Sequence, residues 1–305
     1  MPPLSFFTRH PLINKLLLPV SGAIAFFLFL LLTFPYDVLA RRIEVEAVRN
    51  GAEISIGSLG PAGLGGVRAR DVKLHFLPPP GGEAMPDLHF DRLEVSPDLF
   101  ALLLRRTSFG FALAGYGGTA KGHAALSNDP KLPGLSSLRL EARDLDLQTL
   151  PLKDLAGVEA SGKLQIKADL ASLLPADSAG GAVTVALENG VVTGGSVQGF
   201  PMPKTALGRV DLNLLVEKGV AKVERTQARG GDLDADLDGN VSLRPLLSLS
   251  QADLHVRFRP SDKWLNDNAM IKGAMGLIQN ARQGDGSFIF TFSGPLARMT
   301  PRPGR

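Results

Sequence analysis

Cysteine is absent from all 305 residues, which excludes disulfide staples and thiolate chemistry alike. That absence does not tell cytoplasm from periplasm. The formal charge is only +3, and no lysine- or arginine-rich block interleaves with aromatics. A nucleic-acid partner is therefore not expected. The five histidines, His10, His75, His89, His123 and His255, show no ligand spacing. No G-x-S-x-G elbow or H-E-x-x-H helix occurs. The glycines of "GYGGTAKGHA" do not follow the phosphate-loop order. No catalytic residue, metal ligand or cofactor is assigned.

One charge-free run stands out. Leu16 to Phe34 carries no ionisable side chain over 19 residues. As a helix it would span roughly 28 Å, about the hydrocarbon thickness of a bilayer. A cleaved signal peptide would be shorter and would end in a small-x-small site, whereas "FPYDVLARR" follows here. The expected layout is a cytoplasmic tail over 1–15, a transmembrane helix over 16–34 with Leu16, Phe26 and Phe34 as anchor positions, and a juxtamembrane helix over 35–50. Arg9 and Lys15 precede the span, while Arg41, Arg42 and Arg49 follow it, so basic residues alone do not set the orientation.

From Gly51 the hydrophobic period changes to two. Phe109, Phe111 and Leu113 alternate with small residues. Leu254, Val256 and Phe258 alternate with His255 and Arg257, and Phe288, Phe290 and Phe292 form a last aromatic stripe. About a dozen such stretches, separated by turn signals such as Glu188-Asn189-Gly190, read as antiparallel strands with one dry and one wet face. Helical interruptions are expected after Ser96-Pro97-Asp98, near Gln148–Leu155, and over Asp262–Ala281, the longest, placed over an end or mouth of the sheet. The helices are too few to cover the dry faces. The sheet must fold on itself as a sandwich or barrel, or curl into a trough with an open apolar lining. The expected β-rich body covers 51–297, with a loose Pro- and Arg-rich tail over 298–305.

Within the spaced aspartates Asp232, Asp234, Asp236 and Asp238, the run Asp234-Ala235-Asp236-Leu237-Asp238-Gly239 resembles the start of a calcium loop counted from Asp234. The closing carboxylate is missing, because Pro245 occupies the twelfth position. In a strand these aspartates would lie about 7 Å apart on one side, a solvated face rather than a cation cage. Trp264, the only tryptophan, reads as a helix packing anchor.

Three stretches carry a resemblance: "LLLTFPYDVLARRIEVEA", "AGVEASGKLQIKADL" and "ARGGDLDADLDGNVSLRPLLSLSQADLHVRFRP". Over nearly its full length the chain resembles the protein N (GspN) family of the bacterial type II secretion system, and the last stretch also resembles AsmA-like proteins. The resemblance implies a single-pass inner-membrane protein with a periplasmic β-rich domain. It implies no catalytic motif. Two expectations follow: a non-enzymatic accessory subunit contacting other secretion-system subunits, or an AsmA-like binder or conduit for lipid. In the second, Phe109, Phe111, Leu113, Leu254, Val256, Phe258, Phe288, Phe290 and Phe292 would line a groove for acyl chains. The fold class expected is mainly β: an N-terminal transmembrane helix, then a curved antiparallel β-sheet groove with a few short helices.

Overall fold

The computed structural model describes residues 21–304 apart from 23, 24, 27, 28, 30–32, 50, 64, 78–85, 130, 133, 198, 199, 245–249, 297 and 298. The chain is a meander. After helix α1 (Tyr36–Arg49) come β1 (Ala52–Ala62), β2 (Gly66–Phe76), β3 (Leu88–Pro97), helix α2 (Leu99–Leu103), β4 (Ser108–Gly115), β5 (Gly118–Leu126) and β6 (Leu135–Asp146). Helix α3 (Leu152–Ala156) then leads to β7 (Val158–Ala171), β8 (Gly180–Val197), β9 (Phe200–Pro201), β10 (Thr205–Glu217), β11 (Val220–Arg229), β12 (Leu233–Ser242) and β13 (Gln251–Pro260). Helices α4 (Asp262–Asp267) and α5 (Ala269–Leu277) precede β14 (Phe288–Pro295) and β15 (Thr300–Pro303). Each strand pairs antiparallel with the next in one 15-stranded sheet; β9 folds back on β8, so β8 pairs onward with β10. The mainly β, antiparallel architecture with few short helices agrees with the hydrophobic period of two.

Among the described residues the first and last strands do not pair with each other, so the sheet they form is open. Its surface is large for its mass. The chain exposes 20391 Å², against about 12,000 Å² for a compact monomer of this size. Buried positions on the strands are mostly small, such as Ala69, Ala124, Ala142 and Ala168. A buried cluster of Ala179, Val216 and Ala221 sits at one strand end, packed by Leu170, Leu173, Val241 and Leu243.

Both edges are blocked. Along β1, the Ile56 N–H donates to the Glu44 Oε1 of α1 at 3.2 Å, so a helical carboxylate occupies a free edge donor. At the other edge the expectation of a loose tail is corrected. Thr300–Pro303 pairs with β14, Thr291 opposite Arg302, and the Gly304 N–H donates to Ile289 O at 2.8 Å. That register makes Arg302 and Gly304 the inward-bonding residues. Pro301 and Pro303 therefore turn their donor-less nitrogens to the free edge, where proline is tolerated.

The expected helix over Asp262–Ala281 is also corrected. It is two helices broken at Asn268 and a 3₁₀ turn over Gln279–Ala281. The Asn268 side chain donates to Trp264 O at 2.8 Å, competing with the helical ladder, as asparagine does at helix ends. Trp264 is buried, and its Nε1 donates to Lys204 O at 3.2 Å, which ties α4 to the start of β10. The short helices near Gln148 and after Ser96-Pro97-Asp98 are present as α3 and α2, and α1 is helical over Tyr36–Arg49, within the expected 35–50.

Of the expected span 16–34, Leu16 lies outside the described residues. Ser21, Gly22, Ala25, Phe26, Phe29 and Thr33 are helical, and the Thr33 hydroxyl donates to Phe29 O at 2.7 Å. Phe26 is 65% exposed, and Phe34 packs against Tyr36 with ring centroids 5.0 Å apart. Among the described residues no helix is long and apolar enough to cross a membrane.

The edge geometry generates a prediction. Replacing Pro301 and Pro303 together by valine restores two outward N–H groups, so the chain should self-associate. Light scattering that shows an unchanged particle mass would refute the blocking role of the prolines.

Candidate functional site

Cross-strand register decides which side chains share a face. One row of directly paired residues runs Pro61, Val67, Val95, Phe111, Gly122, Leu140, Ala168, Val183, Leu214, Val223, Gly239, Leu254 and Phe292. None is polar. A second row runs Leu59, Ala69, Leu93, Leu113, Ala120, Ala142, Ile166, Val185, Leu212, Thr226, Leu237, Val256 and Phe290. A third begins at Pro97 and Phe109 and continues through Ala124, Leu138, Leu170, Gly181, Val216, Ala221, Val241 and Ala252. Across these three rows the single polar side chain is Thr226. This face is half-buried for most of its length: Phe109, Phe111, Leu113, Leu254, Val256, Phe258, Phe290 and Phe292 all keep part of their surface open, while Phe288 is buried.

The nine residues expected to line a groove therefore lie on one face, but in two groups. Leu254, Val256 and Phe258 stand directly opposite Phe292, Phe290 and Phe288. Phe258 stacks on Phe288 and Phe290 with centroids 5.6 and 6.1 Å apart, which makes one aromatic patch. Phe111 and Leu113 belong to the first and second rows of that patch, and Phe109 to the third, eight strand steps away, about 38 Å along the sheet. The small Ala120, Gly122 and Ala124 stand beside them. The Gly122 position is tight: an added Cβ would lie 2.8 Å from the Phe111 ring.

The opposite face is ionic. One of its rows reads Arg68, Glu94, Ala112, Lys121, Glu141, Lys167, Thr184 and Asn213, with charges alternating in sign. An open recess of about 560 Å³ on this side is lined by Glu94, Lys121, His123, Arg139 and Glu141. The Arg68 guanidinium, and then that of Arg92, hold the Glu94 carboxyl below the usual range. Arg143, with help from Lys121 and Lys167, does the same for Glu141. Carboxylates held ionised in this way are not poised to donate a proton near neutral pH.

The aspartate stripe joins this face. Asp234 stands opposite Arg259, Asp236 opposite Arg257 and Asp238 opposite His255, the last pair 3.2 Å apart. Arg229 also bonds Asp236. Repulsion along the stripe is thus offset by basic neighbours across the strand, which the β12 sequence alone does not reveal. Asp232 has a separate role: its Oδ2 accepts from the Ala206 N–H at 2.8 Å, which fastens the start of β12 to β10. The Asp232-to-Asp238 spacing carries no sign of that difference. Among the described residues no group of three or more His, Asp or Glu side chains is placed to hold a metal ion. No protein-family model, curated protein or solved structure matches this chain.

Thr226 Oγ1 is buried without a hydrogen-bond partner. Replacing Thr226 by valine keeps the shape and removes an unsatisfied hydroxyl, so it should stabilise the fold by about 1 kcal/mol. A urea unfolding midpoint that falls instead would show that the hydroxyl has a partner.

Asp285 gives a pH prediction. The Ser287 hydroxyl and N–H, at 2.7 and 3.1 Å, and then Arg257, draw its pKa from 3.8 down to about 2. A depressed carboxyl stabilises the fold above its ordinary value and loses that contribution as pH falls toward the folded value. Thermal melts of the parent should thus drop between pH 4 and pH 2. Asp285→Asn should flatten that part of the curve; an equally steep drop in the variant would exclude this carboxylate as the cause.

Proposed function

We propose that this chain is a non-enzymatic, single-pass membrane protein whose apolar sheet face receives hydrocarbon chains. The observation that carries this reading is the set of three rows that cross the sheet with one polar side chain among them. A continuous apolar surface that stays half-open marks a binding surface rather than a closed core. Acyl chains suit it chemically. They need only dispersion contacts and exclusion of water, and each buried methylene is worth about 0.8 kcal/mol. With the buried Thr226 hydroxyl as the one polar group across the rows, the face favours a ligand able to lie along the rows over one bound at a single polar point.

The sheet forms a trough in this proposal. Register shifts on β6, β8 and β11 support curvature, since bulges bend a sheet and strengthen its twist. The segment 16–34 is the anchor, held in the inner membrane of a two-membrane bacterium, with the body in the periplasm. The process is type II protein secretion, in which the chain is an accessory subunit contacting other subunits. Compartment and process rest on the resemblance of the membrane-exit and Gly-Gly-Asp stretches. The apolar rows are what favour the lipid-binding side of the reading, and the two roles are compatible in one subunit.

Phe290 is the test position. It pairs with Val256 in the second row and stacks on Phe258, half-buried, so an aspartate there places a charge in the aromatic patch. Phe290→Asp should abolish photo-crosslinking of the chain to a diazirine-labelled phospholipid while leaving its circular dichroism unchanged. Crosslinking of a folded Phe290→Asp protein at the parent level would end the proposal for this face.

A further inference from the structure

Among the described residues the two most exposed large apolar side chains, Phe100 and Leu103, are not on the sheet but in the connection between β3 and β4. Phe100 is 83% exposed, Leu103 80% and Leu104 69%, with Leu99 and Leu102 also open. Arg105 and Arg106 follow at once, both exposed. Leaving this much hydrocarbon in water is costly, at roughly 1.5–3 kcal/mol for each large side chain. The segment is nevertheless firmly built. Asp98 Oδ1 accepts from the Phe100 and Ala101 N–H groups, both at 3.1 Å, and its Oδ2 accepts from the Ser108 hydroxyl at 3.2 Å. The Arg106 N–H donates to Ala101 O at 2.8 Å, and Asn128 donates to Arg105 O at 3.2 Å. The chain therefore holds an apolar knob outward.

Its place in the fold says what the knob meets. Helix α1 turns back at Gly51 and runs antiparallel along β1, with Glu44 level with Ile56. Eight residues of helix carry Tyr36 about 12 Å further, to the level of about Gly60 on β1. Pro61 pairs with Val67 and Val67 with Val95, two residues before Pro97. The entry of α1 and the knob thus lie at the same end of the sheet. α1 is entered from the uncharged run 16–34.

We infer that the α2 knob is a second membrane contact, with Phe100, Leu103 and Leu104 entering the interface of the bilayer that holds the anchor and Arg105 and Arg106 meeting anionic phosphate headgroups. Apolar side chains bordered by arginine suit the boundary between acyl chains and headgroups. Asp98 stays ionised, held by its internal hydrogen bonds, but the segment 98–106 still carries two arginines against one aspartate and is net positive. Two contacts would fix the tilt of the sheet on the membrane, which one helix leaves free. This inference rests on the membrane anchoring proposed for 16–34.

The cysteine-free chain allows a clean test. Full-length Phe100→Cys and, separately, Leu103→Cys would carry an environment-sensitive fluorophore. Met270→Cys, exposed on α5 at the opposite end of the sheet, is the reference. Each is reconstituted into vesicles of phosphatidylethanolamine and phosphatidylglycerol that contain acyl-chain doxyl lipid. The expected result is quenching at 100 and 103 and none at 270, reduced when Arg105 and Arg106 are both replaced by glutamate. If the protein floats with the vesicles but 100 and 103 behave like 270, the knob is not in the bilayer while the anchor stands. A protein that does not float with vesicles overturns both the anchor and the knob. Equal quenching after phosphatidylcholine replaces phosphatidylglycerol overturns the role given to the arginines.

Discussion

Everything in this structure depends on keeping the pleat in phase from strand to strand. Side chains alternate with a period of two, so a slip of one residue anywhere would send that strand's apolar set to the ionic face. The backbone ladder prevents this, and it does so through its irregularities as well as its regular pairs. Between β6 and β7 the register passes from Ala142–Ile166 to Leu145–Leu164, three residues against two. A bulge there absorbs the odd residue, and both strands return to the dry side together. Gly239 shows how close the ladder runs. It has a φ of +131° and lies in the first apolar row, where a Cβ would approach Asp253 O to 2.2 Å.

The two faces then carry different burdens. Apolar rows supply the packing within the sheet, and each cross-strand pair contributes only ~0.2–1 kcal/mol, so stability accumulates by repetition. The ionic face adds little energy per exposed pair. Its alternating signs do set register, because a slipped strand would bring like charges together. Neither face has a covering layer built from the described helices. Blocked edges matter more in such a sheet than in a closed barrel: a helix carboxylate and two prolines do at its borders what closure does elsewhere.

Much of this was legible in the chain and some was not. Period-two runs such as Leu254-Val256-Phe258 state which residues share a face, because strand geometry is local. Consecutive pairing was also readable from turn signals such as Asn189-Gly190. Other features depend on partners far along the chain. Asp232 and Asp234 look alike in sequence, yet one fastens β10 and the other faces Arg259. The tail looked unstructured because two prolines argue against a strand, and only the free edge beside Phe290 makes them acceptable. Asn268 reads as an ordinary helical residue until its side chain is seen bonded to Trp264 O. For the candidate surface, the stripes were visible one strand at a time. Their joining into uninterrupted rows required the register.

The meander order has a kinetic meaning. Apart from β9, every strand pairs with its immediate predecessor and successor in the chain. Such an assembly is close to one-dimensional, with nearest-neighbour coupling like that of solenoid repeats. Ordering can start at any hairpin and advance by adding one strand at a time, paying only a short loop closure at each step. The same linearity makes the sheet divisible. A break at one seam leaves two shorter sheets, each still continuous and each newly provided with an unprotected border.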